Sequence, residues 1–121
     1  MTTQQVADKY IELFKQRKVA DIHNTFYHEN VICTEPEHAA AMGIPTITKG
    51  FAAVQEKSKS MQEKIAEMHS FYCSEPIVGG NYFSVAMGRD ISMKNGQRMK
   101  TDEIGVFGVK DGKIISETFF Y

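Results

Sequence analysis

Two dipeptides, Asn95-Gly96 and Asp111-Gly112, divide the last forty or so residues into three long, apolar-rich runs. Asn or Asp followed by Gly supplies the left-handed backbone that a tight reversal between antiparallel strands requires. Strands over 82–94, 97–110 and 113–121 are therefore expected to pair as a meander. Acids stand inside these strands where an apolar residue is the norm: Asp90 in SVAMGRDISM, Glu103 in KTDEIGVFGV and Glu117 in KIISETFF. A half-buried strand carries an inward carboxylate only where that group is partnered or faces a wet cavity. The segment that most constrains the fold thus also predicts a pocket.

Composition narrows what such a pocket serves. A chain of 121 residues is expected to form one domain over 1–121 around a single core. The 14 Lys and Arg are scattered and matched by 15 acids, net charge -1, so no basic stripe points to nucleic acid. No apolar run approaches the roughly 18 residues of a membrane helix, and MTTQQVADKY lacks a signal-peptide core. The expected setting is the cytoplasm, without membrane contact. Cys33 and Cys73 have no CxxC spacing; free thiols in a reducing compartment are favoured over a disulfide between them. Neither a metal nor a cofactor is expected.

The first half of the chain is helical in pattern. Val6, Tyr10, Leu13, Phe14 and Arg17 recur at helical spacing over 4–17, and Ile22 and Phe26 mark a second helix over 19–26. Val31–Glu35 reads as a short strand stopped by Pro36, and 39–50, with Gly43, Pro45 and Gly50, as a loop. A third helix over 51–65 turns Phe51, Val54, Met61 and Ile65 inward, and a strand over 67–74 precedes the meander. Helices followed by antiparallel strands make an α+β arrangement with the helices on one sheet face.

Several local patterns occur in a familiar order. They are Glu35 ending the first strand, Gly50-Phe51 with Val54 and Lys57 opening the third helix, Glu67-x-His69 opening the next strand, and the ending Asp-Glu-Ile…Val-Lys-Asp-Gly-Lys-Ile…Glu-x-Phe-Phe-Tyr. In that order and spacing the chain resembles SnoaL-like domains of the nuclear transport factor two-like, or ketosteroid isomerase-like, superfamily. The resemblance implies a cone-shaped, curved antiparallel sheet wrapped around three helices, a conical pocket and commonly a homodimer. It leaves activity open, because such folds serve cyclases, isomerases, dehydratases and non-catalytic binding modules. SnoaL-type cyclases use an aspartate near the chain end as acid-base group, whereas Glu117 stands here.

Hairpin register assigns faces. A two-residue Asn95-Gly96 loop pairs Asp90 with Thr101 and Gly88 with Glu103, placing Asp90, Glu103 and Phe107 on one cavity face. It leaves Val85, Met87, Arg89, Ile91, Ile104 and Val106 on the outer face, with Arg89 opposite Asp102. At the second turn, a three-residue loop with Gly112 left-handed avoids opposing Lys110 and Lys113; it brings Glu117, Phe119 and Tyr121 to the cavity face.

The candidate acid-base groups are accordingly Glu103, Glu117 and Asp90, with His69 as a further base. Glu35, Lys57, Phe107, Phe119, Tyr121 and Tyr10 are the candidate ligand contacts, and His38 flanks the presumed mouth. Each has a plainer role beside it: Lys57 snorkelling, Tyr10 as core, and Glu103 as a partnered structural acid. Glu67, His69 and Glu103 make only a weak metal pattern. The enzyme reading is an isomerase, cyclase or hydratase moving protons on a small apolar, carbonyl-containing substrate. Ketosteroid isomerase illustrates that chemistry on a related scaffold. The alternative is a non-catalytic ligand-binding or dimeric module. In either case the outer sheet face, with its apolar middle, is expected to pair two copies.

Overall fold

The computed structural model describes all 121 residues. Helix α1 (Thr3–Lys15) opens with a capping box, in which the Thr2 side chain accepts from the Gln5 amide and Gln5 returns the bond. It buries Val6, Ala7, Tyr10 and Ile11. Arg17, beyond its end, adopts φ 59°, the left-handed turn that redirects the chain into α2 (Val19–Phe26). Strand β1 (Tyr27–Thr34) starts directly off α2, four residues earlier than the sequence suggested. The segment read as loop holds a short 3-10 turn (Glu37–Met42) and strand β2 (Ile47–Lys49) before α3 (Phe51–Glu63). Then follow β3 (Ile65–Cys73), the short β4 (Ile77–Gly79), β5 (Tyr82–Met93), β6 (Arg98–Lys110) and β7 (Lys113–Phe120).

The strands form one curled sheet in the order β2-β1-β7-β6-β5-β3, with β4 on β5. Every junction is antiparallel except β1 with β7, which run parallel. The helices cover the inner face. There Val6, Tyr10, Ile22, Phe26 and Val54 pack against Val31, Phe83, Val85, Phe107 and Ile114. Phe107 stacks on Phe83 with centroids 4.8 Å apart and meets Tyr10 at 4.7 Å. No helix is long and apolar enough to cross a membrane.

Two register expectations need correction. The β5–β6 loop contains Lys94, Asn95 and Gly96, with Gly96 left-handed at φ 91° and the Met93 amide donating to the Gln97 carbonyl at 2.7 Å. The pairing therefore shifts by one residue: Asp90 faces Lys100, Gly88 faces Asp102, and Met87 faces Glu103. A one-residue slip inverts a whole strand. Val85, Met87 and Ile91 thus turn into the core, at 1%, 5% and 3% exposure, while Asp90 turns outward. Burial of this apolar set decides the register. Arg89 lies opposite Thr101 on the inner side, so the expected Arg89–Asp102 pair does not form.

The second turn does have two residues, Asp111 at φ 51° and Gly112 at φ 74°, and it sets Lys110 opposite Lys113. An irregularity then shifts the ladder, with Val109 opposite Ile114 but Gly108 opposite Ser116. This bulge delivers Glu117 opposite Phe107 on the inner face, the facing expected from the longer loop but reached by another route.

Candidate active site

Two groups of charged residues stand on the inner face of the sheet. The first is closed. Parallel pairing of β1 with β7 sets Cys33 opposite Glu117, and α3 crosses above so that Lys57, one turn beyond the buried Val54, points down at them. Lys57 Nζ donates to Glu35 Oε1 at 2.7 Å and to Cys33 Sγ at 3.1 Å. The side chains of Lys57 and Glu35 are only 11% and 7% exposed. Burial disfavours the ammonium, but the hydrogen bond to Glu35 and the contact with Cys33 outweigh it and raise the Lys57 pKa. Snorkelling is thereby replaced by a buried ion pair. The Tyr27 hydroxyl donates to Glu117 Oε2.

Burial raises the Glu117 pKa despite the bonds from Tyr27 and Cys33. Burial and Glu117 together push the Cys33 thiol up to about 12, so it stays a thiol. Tyr10 and Tyr27 are held well above the usual phenol range, by burial first and then by Glu117. Phe119 lies beneath Lys57, its ring centroid 6.0 Å from Nζ. Tyr121 caps the group: burial and a hydrogen bond to Glu35 raise its phenol, and its ring meets the exposed His38 edge-on at 5.3 Å.

The second group is open. Glu103, on β6, lines a cavity of about 290 Å³ between the end of α1, the start of α2, the end of α3 and strands β3, β5 and β6. Phe14, Val19, Met68, Phe71 and Met87 form its apolar walls; Arg17, Arg89, Thr101 and Gln62 bring polar atoms. The Glu103 carboxyl makes no ion pair within the molecule. Burial, then the neighbouring charges of Glu35 and Glu117, raise its pKa from 4.5 to about 7, against the pull of Arg89 and Lys57. This is a carboxyl poised to take or give a proton near neutrality.

The expected site residues divide accordingly. Glu35, Lys57, Glu117, Phe119, Tyr121 and Tyr10 gather in or around the closed group, and Glu103 faces the cavity. Phe107 is fully buried beneath them as core. Asp90 and His69 are corrections, because both lie on the outer face. Arg98 Nε and a second guanidinium nitrogen bind Asp90 at 2.8 and 3.0 Å, and hold its pKa below the ordinary value. His69 Nε2 meets Ser92 Oγ at 2.6 Å; His69 is itself the unpaired residue of the irregularity in β3 between Met68 and Ser70. The Glu67, His69 and Glu103 combination is thus split across the sheet. Three participants escaped the sequence reading. Tyr27 fell between a helix end and a strand start, Cys33 was counted only as a thiol, and Arg89 was inverted with its strand.

The family profile described as a SnoaL-like domain matches residues 1–121. A crystal structure of a candidate SnoaL-like polyketide cyclase from Mesorhizobium loti is 30% identical, with 100% of both chains covered and a TM-score of 0.90. An NTF2-like protein of unknown function from Burkholderia pseudomallei is 20% identical over 100% of this chain and 92% of its own, at TM-score 0.79. TerC, co-crystallised with polyporic acid, is 18% identical over 98% of this chain and 90% of its own, at TM-score 0.77. Among curated proteins there is no match.

Proposed function

The chain belongs to the SnoaL-like domain family, and from that premise we propose a small-molecule enzyme in which Glu103 moves protons on an apolar, carbonyl-containing substrate. The observation that carries this reading is the state of Glu103: a carboxyl facing the cavity, free of ion pairs, with its pKa raised by burial to about 7. As a carboxylate it removes a proton from the carbon next to the carbonyl, and the C–H electron pair becomes an enolate. As the acid so formed it returns the proton to a different carbon, to give an isomer. After ring closure it returns the proton to the new alkoxide, to give a cyclised product. The closed group supports this chemistry without touching the substrate, since the Glu35 and Glu117 charges help keep the Glu103 proton in place. The two free thiols suit a reducing cytoplasm.

Hydrogen–deuterium exchange at the α-carbon of 2-tetralone, a two-ring ketone, tests the proposal by NMR. The rate should rise with pH through about 7 and then level off. Glu103→Gln should lower it by about 10²- to 10⁴-fold, the usual contribution of a general base. An unchanged rate in a folded Glu103→Gln protein would sink the assignment.

A dimeric module is the second reading, favoured by the outer sheet face. Val85, Met87 and Ile91 are absent from that face, but Tyr72, Ile104 and Phe120 stand there at 48%, 50% and 56% exposure, with Val106 among them. On this reading two copies pack sheet to sheet, and Val106→Lys releases monomers. Sedimentation of the unmodified protein as a monomer at micromolar concentration would exclude it.

A further inference from the structure

Arg89 is an unpaired cation on the inner wall of the cavity. It sits on the inner side of β5 between Met87 and Ile91, which are 5% and 3% exposed, and its cross-strand neighbours are Thr101 and Phe71. Its guanidinium forms no ion pair; the only polar side chain bound to the residue is the Thr101 hydroxyl, which accepts from its backbone amide at 3.2 Å. Arg98, on the outer face, holds a two-point grip on Asp90. An arginine drawn inward normally finds such a partner, because an unpaired half-buried charge is costly. The Arg89 charge pulls on the Glu103 carboxyl, yet the two stay beyond ion-pair distance. Arg17, exposed at the rim of the same cavity just past the end of α1, is also without an ion pair. Around these two guanidiniums the same cavity is lined by Phe14, Met68, Phe71 and Met87.

From this arrangement we infer that the cavity binds an aromatic acid, its carboxylate or acidic enol gripped by Arg89 with help from Arg17 and its rings held by the apolar wall. Guanidinium is the cation whose planar fork matches a carboxylate, and the bond is charge-assisted. The inference uses the cavity of the proposed enzyme but concerns binding alone. It seats the anionic end of a substrate beside Glu103 on the same face of the sheet, which brings the neighbouring carbonyl flank within reach of the base.

The test is calorimetric titration of the whole protein with 1-naphthoate and with its neutral counterpart 1-naphthamide. Naphthoate should bind about tenfold or more tightly than the amide, in line with a charge-assisted bond. Arg89→Gln should erase that preference and leave amide binding within about twofold, Arg17→Gln should reduce the preference partly, and Glu103→Gln should tighten naphthoate by removing a carboxylate. Equal affinity for the two probes, no binding of naphthoate, or an undiminished preference in Arg89→Gln would each overturn the inference. If Arg89→Gln fails to fold, Arg89→Lys, which keeps the charge but not the fork, should retain part of the preference; full retention would count against the guanidinium grip. Failed exchange of 2-tetralone with intact naphthoate binding would reject the enzyme and keep the binding site.

Discussion

The closed and open groups differ in what surrounds their charges, although both draw on neighbouring strands of one sheet. In the closed group each charged atom has found a partner: Lys57 holds Glu35 and Cys33, and Tyr27 holds Glu117. In the open group Glu103 and Arg89 face a cavity and hold nothing. Satisfied buried polar groups stabilise one arrangement of a fold, while unsatisfied ones bordering a cavity mark where a fold departs from its own packing rules in favour of a ligand. The difference predicts that damage to the closed group is read in stability and damage to the open group in chemistry.

The largest effect should come from Lys57→Met. It removes the cation that stands between Glu35, Cys33 and Glu117 and leaves buried carboxylates uncompensated, a loss of about 3–5 kcal/mol for a buried pair. Urea unfolding at pH 7 reads it directly. Glu103→Gln should unfold no more easily than the unmodified protein, even where exchange is lost. Were Lys57→Met to keep its stability, or Glu103→Gln to lose it, the two groups would not differ in kind.

A smaller effect concerns pH. The folded-state pKa of Glu103 is raised from 4.5 to about 7, so the fold prefers its protonated form. That contribution to stability is fully present below pH 4.5 and is lost as pH rises through about 7. Glu117, also raised, pushes in the same direction. Urea midpoints of the unmodified protein should therefore fall between pH 5 and 8, and Glu103→Gln should fall less. Parallel curves for the two proteins would show that Glu103 ionises in the fold as it does in the unfolded chain.

Much of this comparison was legible before the structure. Periodicity located the three helices and the meander. Acids in strand interiors marked the inner face of β6 and β7, because a carboxylate amid apolar neighbours is tolerated only where it is partnered or wet. What escaped depended on single residues of register. Asn95-Gly96 signals a reversal without saying whether Lys94 belongs to the loop, and that one residue decides which face of β5 is buried. The alternation Phe83, Val85, Met87, Ile91 carried the answer: it demands a core, and an outer face made of those residues would have exposed them all. Arg89 was hidden by the same inversion. Tyr27 was hidden by a helix that passes into a strand with no intervening breaker. The bulge beside Gly108 had that single strand glycine as its mark, which signals an irregularity without saying how the ladder shifts.

The smallest effect tests that register and, with it, the boundary of the open group. Asp90→Asn removes the carboxylate held by Arg98 on the outer face. With the Arg98 side chain 59% exposed, the pair lies at the surface and contributes little, because water and salt screen it and a long side chain must be immobilised to make it. Stability, 2-tetralone exchange and naphthoate affinity should all stay unchanged. Had the Asn95-Gly96 turn closed on two residues, Asp90 would stand on the face of Glu103, and its neutralisation would weaken repulsion there and tighten naphthoate. An affinity gain in Asp90→Asn comparable to that in Glu103→Gln would thus put Asp90 in the cavity and return Arg89 to the outside. Silence at Asp90 with a response at Arg89 fixes β5 in the shifted register by a measurement made in solution.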